Sequence, residues 1–102
     1  MYSARDRVEQ EEWLAEIDRG ADSLGLSAEA RSTAEDLFLS NVPDGDRSKP
    51  AVAAAALYAG SLLDGEERPE TGVAAAMDVL RPTVQQSWKP LLEEAGFRTP
   101  SW

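Results

Sequence analysis

Residues 50–63 read PAVAAAALYAGSLL, a run in which only Tyr58 and Ser61 carry hydrogen-bonding side chains. Alanine dominates the run, and it is the strongest helix former because it loses no side-chain entropy on folding. Pro50 suits the first turn of a helix, and Gly65 follows as a terminator. Fourteen residues span about 21 Å, too short to cross a bilayer. A helix that is apolar on every side is a buried one, so the sequence predicts a central core helix.

Four amphipathic segments flank this run and are predicted to form helices around it. They cover residues 5–23, 27–41, about 70–79 and about 82–95. Ser27 has the side chain of an N-cap, and Pro82 suits the first position of the last helix. Gly96 should end that helix, and Pro90 should kink it or split it.

Each flanking segment has one apolar stripe at helical spacing. The predicted inward positions are Trp13, Ile17 and Gly20/Ala21, with Val8 and Leu14 at the margin, then Ala30, Ala34, Leu37, Phe38 and Asn41, then Val73, Ala76 and Met77, and finally Val84, Trp88, Leu91 and Leu92. No segment alternates with the period of a strand, and no linker divides the chain. We therefore predict an all-α fold in which residues 1–102 form one five-helix domain, with loose ends at 1–6 and 98–102.

The chain has no cysteine and no histidine. The chain therefore can form no disulfide, has no thiolate, and lacks histidine, the commonest general base. There is also no glycine-rich phosphate loop and no nucleophile elbow, and the carboxylates fall on predicted solvent faces. The sequence predicts neither an enzyme nor a metal or cofactor site.

The formal net charge is −9, and only Lys49 and Lys89 are lysines. An acid-rich, lysine-poor composition resembles that of proteins from salt-loving archaea, where molar salt screens self-repulsion. Residues 1–67 carry the whole net charge, whereas residues 68–102 are neutral. A face that approaches nucleic acid is therefore expected in the last third. The densely charged N-terminus does not resemble a signal peptide, so we expect a cytoplasmic protein.

A series of short motifs resembles one family. In chain order they are Leu24-Gly25-Leu26, Arg47-Ser48, the AAAALYA run of residues 53–59, Arg68-Pro69, Val73-Ala74, Val84 and Trp88. This series resembles the core of archaeal transcription factor B, the counterpart of eukaryotic TFIIB, over about residues 20–97. The resemblance implies a cyclin-like repeat of five helices around an alanine-rich third helix. It also implies that the last two helices form a helix-turn-helix.

The chain departs from that family in several places. The family carries an N-terminal zinc ribbon, which a chain without cysteine or histidine cannot form in that way. The family has two tandem repeats, and 102 residues have room for one. Asp78 stands where the family has a turn glycine, and Pro90 interrupts the segment that corresponds to its recognition helix. The basic residues of that helix are reduced to Arg81 and Lys89.

The resemblance implies a role in transcription, in which the chain binds DNA through helices four and five, modulates the archaeal initiation machinery, or does both. The candidate DNA contacts are Arg81, Thr83, Gln85, Gln86 and Lys89. Glutamine can read adenine edges, while arginine and lysine meet phosphates or guanine. A solvated polar helix face is the alternative interpretation of the same residues. With so few cations, DNA affinity is expected to be weak and salt-dependent.

A protein adaptor that uses the cyclin-like surface without DNA is the alternative function. The resemblance implies TATA-binding protein or RNA polymerase as partners. Trp102, at the end of the sequence, is a candidate anchor for a partner or for a second copy of the chain, and a frayed terminus is its alternative interpretation. A homodimer would imitate the tandem arrangement of the family.

Overall fold

The computed structural model describes residues 10–42 and 49–96, and within these ranges the chain forms five helices and no strand. The helices are α1 Glu11–Leu24, α2 Ala28–Ser40, α3 Lys49–Leu63, α4 Glu70–Met77 and α5 Arg81–Glu94. The predicted all-α fold, with five helices in this order, is confirmed. The predicted start of the first helix, residues 5–9, lies outside the described residues, as do the two predicted loose ends.

Helix α3 is the centre of the bundle and packs against all four other helices. Its residues from Ala53 to Ser61 are all buried. The predicted central helix is therefore confirmed. The small alanine side chains allow close approach, and Gly60 of α3 directly faces the backbone of Ala34 in α2.

Most of the predicted inward positions of α1 and α4 are buried, namely Ile17, Ala21, Val73 and Met77. One position in each helix differs. In α1, Leu14 is buried, whereas the larger Trp13 is half-buried and packs at the rim of the core. In α4, Ala74 is buried and Ala76 is only half-buried. Positions at the edge of an apolar stripe are buried or exposed according to the neighbouring helices, which the segment's own sequence does not specify.

Helix α5 continues without a break through Pro90, so of the two predicted outcomes the split does not occur. Proline removes one backbone hydrogen bond from a helix. Pro90 is exposed, while the flanking Trp88, Leu91 and Leu92 are buried. The packing of these neighbours keeps the chain helical on both sides of the proline.

Hydrogen bonds join the turn between α1 and α2 to the turn between α3 and α4. The Glu66 carboxylate accepts from the Ser27 hydroxyl and from the Ser27 backbone N–H at 2.9 Å. Arg68 donates to the carbonyl oxygens of Leu24 at 2.9 Å and of Glu66 at 2.8 Å. Ser27 Oγ also accepts from the N–H of Ala30 at 3.2 Å, which confirms it as the N-cap of α2.

The Ser27 contacts predict an acid-sensitive stability. Hydrogen bonds from the Ser27 hydroxyl and backbone lower the pKa of Glu66 from its usual 4.5. Because the unfolded chain then binds this proton more readily, the contribution is present above about pH 4.5 and is lost as pH falls through the folded pKa. Ser27→Ala should therefore lose less stability than the wild type when urea unfolding is repeated from pH 6 to pH 3.

Two comparisons make this prediction specific. Ser27→Ala also removes the N-cap, so its stability at neutral pH should fall by about 1 kcal/mol. Ser32→Ala, at an exposed serine of the same helix, should keep the wild-type pH profile. An unchanged profile for Ser27→Ala would contradict the proposed link to Glu66.

Candidate nucleic-acid interface

Helices α4 and α5 form a helix-turn-helix with a connection of three residues, 78–80. Pro69 precedes α4 in an extended conformation, and Glu70 places an acid in its first turn, where the helix dipole favours negative charge. Pro82 lies at the start of α5, as predicted. The two helices also pack against each other. This short connection leaves the start of α5 at the surface.

Asp78 adopts the left-handed conformation in this turn, with φ of 58°. Its N–H and that of Val79 bond to the carbonyls of Ala75 and Ala74, which closes the end of α4. Aspartate tolerates this conformation better than most residues, although glycine adopts it at lower cost. Asp78 thus keeps the backbone of a glycine turn and adds a carboxylate to it.

Helix α5 has a buried side and a polar side. Val84, Trp88, Leu91 and Leu92 are buried, as predicted. At 3.6 residues per turn, Gln85, Gln86 and Lys89 fall within about 100° of arc, which adjoins the buried side at Gln85. Both glutamines are exposed and Lys89 is half-buried. Thr83, also half-buried, lies on the flank of this group beyond Gln86.

Both cations of α5 interact with neighbouring groups. Arg81 Nη2 lies 3.6 Å from Glu70 Oε1, and its side chain remains half-exposed. Lys89 Nζ lies 5.5 Å from the centre of the Trp88 ring. Glu93 and Glu94 are exposed near the end of the same helix. The predicted DNA contacts therefore share one helix, and Glu70 partly offsets the positive charge of Arg81.

Trp88 connects this surface to the core. Its ring packs against Tyr58 with 5.3 Å between centroids and 56° between planes. The Tyr58 hydroxyl lies 3.3 Å from Glu67 Oε2. Burial and the charge of Glu67 raise the pKa of Tyr58 to about 12, so the hydroxyl stays protonated and donates. The orientation of α5 is thereby linked to the turn that precedes α4.

Arg19 of α1 lies beside the helix-turn-helix, which the sequence did not reveal. Its guanidinium donates to the carbonyl of Ala76 near the end of α4 at 3.0 Å and to Glu16 at 2.9 Å. The negative charge of Asp78 also acts on Arg19. Because Arg19 and Ala76 are 57 positions apart in the chain, no local pattern could have brought them together.

A cleft of about 290 Å³ opens between α3, α5 and the end of α2. It is lined by Asn41, Val52, Ala55, Gln86, Ser87, Pro90, Leu91 and Glu94. Gln86 therefore borders both the polar side of α5 and this cleft. The lining mixes apolar and polar groups.

Trp102, the predicted partner anchor, lies outside the described residues. Within residues 10–42 and 49–96, no group of three or more histidine, cysteine, aspartate or glutamate side chains is arranged to hold a metal ion. None of the helices in these ranges combines the length and apolar composition required to cross a membrane.

The bundle is thus an all-α, cyclin-like repeat that ends in a helix-turn-helix. The family model of the transcription factor TFIIB repeat matches residues 7–94, and the chain belongs to this family. It is 36% identical over 88 residues to transcription initiation factor IIB of Pyrococcus horikoshii. It is 33% identical over 87 residues to transcription initiation factor IIB 2 of Thermococcus kodakarensis.

A halophile also has a relative of this chain. Transcription initiation factor IIB 2 of Haloferax volcanii is 35% identical over 80 residues. The matches cover 82% of this chain for the Pyrococcus and Thermococcus proteins and 76% for the Haloferax protein. They cover 29%, 28% and 24% of those three relatives respectively. The chain therefore spans less than a third of the length of the relatives that it matches.

Proposed function

We propose that this chain is a single TFIIB-like repeat that acts in transcription initiation by contacting DNA through its helix-turn-helix. The observation that carries the proposal is the polar side of α5. Gln85 and Gln86 are exposed there, and the buried Val84 and Trp88 fix the same helix to the core. In a helix-turn-helix, the second helix lies in the major groove and its first residues contact base edges. The relatives are named transcription initiation factors, which supports the same role.

The five candidate residues have different roles in this proposal. Gln85 and Gln86 present amide groups that can bond to an adenine edge. Arg81 and Lys89 would meet phosphates, and Thr83 would contact the backbone or a thymine methyl group at the flank. Residues 1–102 would form one domain built on the cyclin-like bundle. Its DNA affinity would be low because Glu70 offsets the charge of Arg81, and because Glu93 and Glu94 lie on the same helix as Lys89.

The test is a titration of labelled duplexes with the purified chain over a range of KCl concentrations. A promoter-like duplex is compared with a duplex of mixed sequence. Gln86→Ala should weaken binding to the promoter-like duplex by roughly tenfold, since a good glutamine–adenine pair is worth about 1–3 kcal/mol. Arg81→Ala should weaken binding to both duplexes by the same factor, roughly two- to fivefold.

A matched control separates these effects from a general loss of fold. Ser32→Ala changes an exposed polar residue of α2 and should leave both affinities unchanged. Circular dichroism of each variant would establish that the helices are retained. Absence of binding by the wild type at every salt concentration would reject the DNA proposal.

A protein adaptor is the second candidate, and the charge favours it. The chain carries −9, and the acids Glu93 and Glu94 lie on the helix that would face DNA. The cleft beside Gln86 offers a partner both apolar and polar contacts. TATA-binding protein, RNA polymerase and a second copy of the chain are the candidate partners. Co-purification with the first two, together with light scattering of the chain alone, would test them.

A further inference from the structure

We propose that Glu70 sets the strength and the salt dependence of DNA binding by neutralising Arg81. The inference rests on the proposed DNA contact and goes beyond it, because it assigns a role to a residue of α4 outside the DNA-facing set. Glu70 Oε1 lies 3.6 Å from Arg81 Nη2. The Glu70 side chain is 19% exposed and that of Arg81 is 52% exposed, so the arginine faces solvent with the acid behind it.

The position of the pair gives it this effect. Arg81 is the first residue of α5, the end of the helix that would approach a phosphate. Glu70 is the first residue of α4, so both helices bring their first turn to the same place. An arginine that arrives with a carboxylate 3.6 Å away brings almost no net charge to the DNA. The attraction to phosphate and the release of condensed counterions are therefore both small at this point.

The consequence is a contact that loses little affinity when salt rises. For duplex DNA, the slope of log affinity against log salt is about −0.9 for each phosphate that the protein neutralises. Because Glu70 neutralises Arg81, the slope for the wild type should be less steep by roughly 0.9 than it would be with an unpaired arginine. Binding would then depend mainly on the fit of Gln85 and Gln86 to base edges, which salt screens much less.

The experiment measures duplex affinity of the full chain from about 0.05 to 1 M KCl for the wild type and Glu70→Gln. Glutamine keeps the size of the side chain and removes its charge. Glu70→Gln should bind roughly two- to fivefold more tightly at about 0.1 M salt. Its slope should also become steeper by up to about 0.9.

Glu29→Gln is the matched control, because it removes the same charge at an exposed site in the first turn of α2. Glu29 belongs to α2, outside the helix-turn-helix, and exposed charges are screened over about 10 Å at 0.1 M salt, so the control should keep a slope closer to that of the wild type. The double variant Glu70→Gln/Arg81→Gln removes both charges and should return to a slope close to that of the wild type. Urea unfolding of each variant would separate binding from folding.

The outcomes distinguish this inference from the proposed function. If the wild type binds and Glu70→Gln behaves like Glu29→Gln, Glu70 has no such role while the DNA proposal stands. If Glu70→Gln binds and the wild type does not bind at any salt concentration, the DNA proposal is rejected for the wild type, while the neutralising effect of Glu70 on Arg81 is supported. If neither protein binds at any salt concentration, both the proposed function and the role of Glu70 are rejected.

Discussion

Replacing Trp88 by alanine is expected to lower the free energy of unfolding by about 3–5 kcal/mol. The side chain is 3% exposed, and its ring packs against Tyr58 with centroids 5.3 Å apart. The substitution removes a large buried surface, leaves a cavity in the core, and deletes an aromatic pair worth about 1 kcal/mol beyond its area. Urea unfolding followed by circular dichroism measures the loss without depending on tryptophan fluorescence.

Two further variants define the cause of that loss. Trp88→Phe keeps an aromatic ring against Tyr58 and should recover more than half of the lost stability. Trp13→Ala truncates a tryptophan that is only half-buried at the rim, and it should cost clearly less than Trp88→Ala. Equal losses at both tryptophans would mean that Trp88 is not the aromatic anchor of α5.

Gly60→Ala is expected to destabilise the protein by about 2 kcal/mol or more, even though alanine is the better helix former. A Cβ at this position would lie 2.8 Å from the backbone nitrogen and 2.9 Å from the Cα of Ala34. Because the obstacle is backbone, α2 and α3 would have to move apart. Overpacking of this kind costs about 3 kcal/mol, and the helix propensity of alanine returns only about 1 kcal/mol.

Two other helical glycines provide the controls for Gly60. At Gly72 a Cβ would meet Leu24 Cδ2 at an ordinary 3.7 Å, so Gly72→Ala should stabilise the protein by about 0.5–1 kcal/mol. At Gly20 the nearest atom would be the Sδ of Met77, at the flexible end of its side chain. The change in the free energy of unfolding for Gly20→Ala should therefore lie between those for Gly60→Ala and Gly72→Ala. A stabilising Gly60→Ala would contradict the close contact of α2 with α3.

Most of the fold followed from local sequence. The alanine run predicted the buried helix α3 because no polar face remained to solvate it, and Ser27 predicted the start of α2 because its hydroxyl caps that helix. In α1, Ile17 and Ala21 are buried as predicted, whereas Leu14 is buried in place of Trp13. Burial at the edge of a stripe depends on which neighbouring helix it meets, and a single amphipathic segment carries no information about that.

The candidate site was predicted less completely than the fold. Gln85 and Gln86 are exposed on α5, as helical spacing predicted, whereas Lys89 is half-buried. The ion pair of Arg81 with Glu70 was not foreseen, since it joins two helices across the turn. Arg19 was missed because its contact with Ala76 depends on the packing of α1 against α4. Contacts between helices set the electrostatics of the surface, and only the assembled bundle defines them.

The length of the polar part of α5 limits the number of base pairs that such a module could contact, and therefore its sequence specificity. From Arg81 to Lys89 the helix rises about 12 Å, which matches roughly four base pairs at 3.4 Å each. A given run of four base pairs recurs by chance about once in 256 positions, so a DNA contact of this length would not by itself specify a single gene. Tethering to a neighbour that is already seated on the promoter would supply the missing information, because a linked module searches at a local concentration near millimolar.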